Sequence, residues 1–120
     1  MSGAEVNDIA EALRCASRLV GAVFDIAPEA FTGPRKGPPA QVHARQVLCY
    51  LLHTDGEYDQ AAISRALGRH RSTVGHAIEV IGELREVAEI DRAVGMLGQM
   101  YREIREAHAR VPALIEEVAP

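Results

Sequence analysis

The chain has no tryptophan, two phenylalanines and three tyrosines, so the aromatic platforms on which single-stranded nucleic acids stack are poorly supplied. It has two cysteines, Cys15 and Cys49, far apart and outside any C-x-x-C pattern, which excludes a disulfide framework and fits a reducing cytoplasm. Long apolar runs are missing too: the longest, residues 19–24 and 47–52, fall far short of the roughly 18 residues that span a bilayer. No membrane association is expected, and an acidic start with Glu5 and Asp8 does not read as a signal peptide. β-alternation of useful length and internal repeats are likewise lacking. What is present is the composition of an ordinary soluble domain: 120 residues, 48% hydrophobic and 25% charged, with a net charge of −4. A chain of this size can bury roughly 65% of its unfolded surface, enough to fold without a metal or disulfide.

The net charge hides an asymmetry. Residues 1–32 and 77–120 are acidic, whereas residues 33–76 set Arg35, Lys36, Arg45, Arg65, Arg69 and Arg71 against Asp55, Glu57 and Asp59. That middle third is the one electropositive stretch, and it holds every histidine except His108.

Apolar spacing then divides the chain into helices. Val6, Ile9, Leu13, Ala16 and Val20 recur at steps of three and four, predicting a core-facing helix over roughly residues 5–22. Pro28 opens at most a short helical turn, and the proline- and glycine-rich residues 32–39 read as an extended loop carrying Arg35 and Lys36. A second helix is expected over 40–53, with Ala44, Val47, Leu48, Leu51 and Leu52 inward and Arg45 and Gln46 near an exposed start. Residues 58–67 form a short helix stopped by Gly68. A further helix over 71–87 turns Val74, Ala77, Ile78, Ile81 and Leu84 to the core. The stretch 90–109 carries the stripe Ile90, Val94, Leu97, Tyr101 and Ile104, with Arg102 and Glu106 one turn apart on its surface. The fold class is all-α, with five or six helices.

A short helix, a turn beginning with glycine and a second helix are the elements of a helix-turn-helix, whose second helix lies in the major groove of DNA. Burial of Ile63, Leu67, Val74 and Ala77 would leave Arg69, His70, Arg71, Ser72, Thr73 and His76 at the open N-terminal end of that helix. These residue types suit DNA recognition, since arginine pairs with guanine O6 and N7, serine and threonine meet bases or phosphates, and a helix N-terminus favours a phosphate.

At these residues the chain resembles the C-terminal DNA-binding domain of the bacterial replication initiator DnaA. In that family the run reads roughly Phe-Gly-Gly-Arg-Asp-His-Ser/Thr-Thr-Val-x-His-Ala; here it is Leu67-Gly68-Arg69-His70-Arg71-Ser72-Thr73-Val74-Gly75-His76-Ala77. The family's basic loop, followed by a helix opening with Ala-Arg-Pro-Arg-Gln, is similar to Arg35-Lys36 followed by Val42-His43-Ala44-Arg45-Gln46. The resemblance spans about residues 5–106. It implies that Arg45 and Gln46 sit at the DNA, that Arg35 or Lys36 reaches a minor groove or phosphates, that Ser72 and Thr73 contact bases or phosphates, and that His76 touches the backbone. Arg69 matches the family's arginine, whereas His70 and Arg71 replace Asp-His and one glycine is missing, so a changed target sequence is expected.

No G-x-x-x-x-G-K-[ST] run occurs, so no nucleotide switch is expected in this chain. The expectation is a DnaA C-terminal-like helix-turn-helix domain over 1–106 and a C-terminal extension over 107–120. Its function would be sequence-specific binding of double-stranded DNA by a bacterial or phage-derived transcriptional regulator, cytoplasmic and nucleoid-associated. Two alternatives are a competitor of the replication initiator at its DNA sites and a protein-interaction module that keeps the fold. Ser64, Ser72 and the histidines lack the third orienting group of a catalytic constellation, so no enzyme activity is expected. Cys49 and His53, one helical turn apart with His43 nearby, fall short of a metal ligand set, and no metal or cofactor is expected. The 90–104 stripe either pairs two chains as a homodimer or packs on the first helix, with Gly95 and Gly98 allowing a close approach. Beyond the helix-breaking Pro112, the extension either docks on a protein partner, such as RNA polymerase or another regulator, or folds back and frays.

Overall fold

The computed structural model describes residues 3–32 and 37–120, with α1 side chains from Asp8 onward. Five α-helices follow in order: α1 (Gly3–Phe24), α2 (Pro39–Thr54), α3 (Gln60–Leu67), α4 (Arg71–Leu84) and α5 (Ala88–Val118). A single 3-10 turn, Pro28–Phe31, lies between α1 and α2, and no strand occurs among the described residues.

The centre of the molecule is α2. Pro38 holds an extended backbone and Pro39 takes the first helical turn, where the missing N–H is not needed. Gln41 then donates from Nε2 to the Ala30 carbonyl at 3.1 Å, tying the start of α2 to the 3-10 turn. Further along, Ala44, Leu48, Leu51 and Leu52 are completely buried, and Val47 and Cys49 nearly so. α2 packs against α1 on one side and α4 on another, with α3 and the first half of α5 closing the remainder. Each completely buried leucine contributes about 1.5–3 kcal/mol relative to exposure.

Among the described side chains, which do not include Val6, the expected apolar faces meet this core with two departures. Val74, Ala77 and Ile81 of α4 are buried, but Leu84, the last residue of the helix, is exposed. Val94, Leu97 and Tyr101 of α5 are buried, whereas Ile104 is exposed because α5 runs past the end of α2.

Polar contacts at this end explain how α5 is held. Arg102 pairs with Asp55 just beyond α2 rather than with Glu106, which instead meets Arg110 at 3.2 Å. Gly98 makes the first contact feasible: a Cβ there would stand 2.6 Å from the Asp55 carboxylate oxygens. Gly98 is thus close to the residue that follows α2, while α5 packs along α1 as the stripe led one to expect. Arg105 reaches Asp8 of α1 at 3.0 Å, and the Tyr58 hydroxyl donates to the same carboxylate.

Pro112 does not end α5, which continues for a further turn and more to Val118. Proline removes one helical N–H donor and crowds the carbonyl four residues back. Here residues 106–118 are all exposed, so water can satisfy the carbonyl that loses its partner. Residues 107–118 therefore continue α5 into solvent and do not fold back on the domain.

Candidate nucleic-acid interface

The turn between α3 and α4 is fixed by its own sequence. Asp59 caps α3 by accepting the Ala62 N–H at 2.8 Å. Gly68 ends α3 in the left-handed conformation, with φ 65° and ψ 36°. Two backbone bonds, Gly68 N–H to Arg65 O and Arg69 N–H to Ser64 O, complete a Schellman motif. The Ser64 hydroxyl donates to the Arg69 carbonyl, so the chain leaves the turn in one direction. His70 then caps α4: its Nδ1 accepts the Ser72 N–H at 3.1 Å and lies 2.7 Å from the Ser72 hydroxyl.

This local geometry presents His70, Arg71, Ser72, Thr73 and His76 as exposed side chains at the first two turns of α4. The far end of α4 is fastened by Arg85, which donates from Nε to Asp91 at 2.7 Å and from Nη1 to the Tyr50 hydroxyl at 3.2 Å. Both bonds raise the Arg85 pKa above its ordinary value. The helix is thus capped at its open end and clasped at its closed end.

Arg45 differs from the sequence expectation. It is 5% exposed, not an open anchor, because α4 packs across the first half of α2. Arg45 still borders a cleft of about 460 Å³ between α2 and the start of α4. Gln46, Arg69, Thr73 and His76 share that cleft, and Cys49 with Val74 forms part of its wall. Burial lowers the Arg45 pKa first, and the like charge of Arg69 lowers it further. Arginine remains charged in proteins, so two cations face one recess. Half-buried Arg69 and Gln46 are thereby brought beside Thr73 and His76. Arg35 and Lys36 lie outside the described residues.

Two groups around the site were not singled out for it by sequence. Cys49 lines the cleft as a neutral thiol, its pKa pushed up to about 12 by burial despite the two arginines that pull it down. Glu79 and Glu83 are exposed on the helical face that carries Ser72 and His76, one and two turns further on. Their spacing of three and seven from His76 is the signal that could have found them, and it confines the cation-bearing surface to the beginning of α4.

His53, paired with Cys49 in the sequence as a weak metal candidate, places Nδ1 2.9 Å from the Tyr58 carbonyl, which accepts its N–H. Among the described residues no group of three or more His, Cys, Asp or Glu side chains is disposed to hold a metal ion. No described helix is long and apolar enough to cross a membrane. Comparison with known proteins finds no matching family model and no similar curated protein.

Proposed function

We propose that the protein binds double-stranded DNA sequence-specifically, as a transcriptional regulator that inserts the N-terminal end of α4 into the major groove. The observation that carries this reading is the cleft that Arg45 and Arg69 both line beside the exposed polar start of that helix. A phosphate oxygen in that cleft would accept charge-assisted hydrogen bonds from such arginines. Arg71 and Ser72, on the open side of the same turn, would then meet base edges. Arg45, Arg69 and Gln46 fix register on the backbone, while Arg71 and its neighbours read sequence.

Overall acidity does not oppose this role, because Glu79 and Glu83 turn the later part of α4 away from phosphates and favour entry by its first turns only. Affinity is expected to fall steeply with salt, since phosphate contacts release counterions.

In-vitro selection of bound duplexes from a random library at about physiological salt tests the reading. The expected result is a short enriched motif that the Arg71→Ala variant no longer selects. Absence of enrichment, together with absence of binding at low salt, would overturn it.

A further inference from the structure

The second half of α5 leaves the domain with an apolar stripe uncovered. Met96, Met100, Ile104, Val111, Leu114 and Val118 recur at steps of three, four and seven, and all six are exposed, Met96 at 64% and Leu114 at 52%. They run along one side of α5 for about 33 Å at 1.5 Å per residue. Near its root the stripe merges with an apolar cleft of about 300 Å³, formed by Val23 and Phe24 at the end of α1, Val47 of α2, and Met96 and Met100 themselves. A continuous exposed apolar surface of this kind marks an interaction site.

We infer that this stripe joins a second copy of the chain, with the two α5 helices antiparallel and crossing at Ala107. The stripe is self-complementary in that register. Met96 falls beside the second copy's Val118, Met100 beside Leu114, and Ile104 beside Val111. Ala107 meets itself on the two-fold axis, where a small side chain lets the helices approach closely. Each solvent-directed tail thereby covers the cleft at the root of the other copy, as an isologous interface requires.

Charge on the flanks selects the direction. In the antiparallel register like flanks meet, so Glu103 of each copy lies beside Arg110 of the other, a pairing that occurs twice. A parallel register sets Arg110 against the apolar Ile115 instead. Exposure of Glu103 and Arg110 leaves both able to engage. The interface draws on α5 and the end of α1, away from the α4 cleft, so it stands independently of the DNA reading.

Sedimentation equilibrium of the full chain without DNA, up to about 100 µM, reads the association directly. The expected outcome is a concentration-dependent dimer that Leu114→Glu converts to monomer with unchanged circular dichroism, because Leu114 lies outside its own domain core. Glu103→Arg is expected to weaken association about tenfold, and Arg110→Glu in the same chain to recover it. Under mild oxidation Ala107→Cys should crosslink two copies, whereas Val118→Cys should not, its symmetry mate lying at the far end of the pair. A chain that stays monomeric throughout would overturn the inference, and so would a dimer indifferent to Leu114→Glu. Crosslinking through Val118→Cys as readily as through Ala107→Cys would overturn the antiparallel arrangement.

Discussion

The His70 ring accepts the Ser72 N–H through Nδ1 at 3.1 Å, so the helix proposed to enter the groove is capped by a side chain on the surface that would touch DNA. Stability and recognition meet at one residue, and two substitutions separate them. His70→Ala leaves the Ser72 N–H without its cap and should cost about 0.5–2 kcal/mol in urea unfolding. His70→Asp restores a capping acceptor, and favours the helix N-terminus by its charge, so stability should return to the wild-type level or above. The same negative charge repels phosphates, and binding to every duplex should fall. Equal losses of stability in both variants would show that the cap contributes nothing.

Arg45 makes a second separation. It is buried beside Arg69 in the cleft that a phosphate would enter under the proposed reading. Arg45→Met keeps much of the apolar stem of the side chain and removes the charge. DNA affinity is expected to fall, and the slope of log affinity against log salt to become shallower by about 1. A variant that loses stability but keeps the wild-type salt slope would show Arg45 to be structural only.

Along α4, exposed Arg71 and Glu79 should act in opposite directions. Arg71→Ala is expected to cost about 1–3 kcal/mol at the selected site and to relax base preference at one position. Glu79→Gln removes a charge facing the phosphates, so binding to unrelated duplexes should strengthen while the selected motif stays the same. Fluorescence anisotropy on matched and scrambled duplexes measures both. A motif altered by Glu79→Gln would place that residue among the base readers.

The contrast between these residues shows what could be read before folding. Gly68 and the apolar positions of α3 and α4 act within one or two turns of themselves, so the helical hairpin and its open polar end were legible from spacing. The depth of Arg45 was not, because it depends on α4 lying across α2, a contact between segments some 30 residues apart that no local pattern encodes. Pro112 misled for a related reason. Its penalty is local, but whether a helix survives depends on the freed carbonyl finding water, and that follows from α5 extending beyond the domain. The 90–104 stripe was legible as a helix face, yet its outer residue is exposed because α2 is shorter than α5.

Alkaline pH provides a test of the core beneath the site. Burial pushes the Cys49 thiol from an ordinary 9.0 up to about 12, and burial first also raises the Tyr58 and Tyr101 hydroxyls above their ordinary 10.0. In the unfolded chain these groups lose their protons at the ordinary values, whereas in the folded protein they keep them to higher pH. Between those limits the folded state binds more protons, so stability must fall as pH rises. The stabilising contribution is complete below about pH 9 and is lost progressively as pH climbs toward the folded values. Urea midpoints measured at neutral pH and at steps above pH 9 should therefore decline, the first part of the decline coming from Cys49. Cys49→Ala removes that ionisation at the cost of a small cavity, so its midpoint should start lower and fall less over the first step. A midpoint equally steep in both proteins would show that the Cys49 thiol is not held neutral by the packing of α2 against α4.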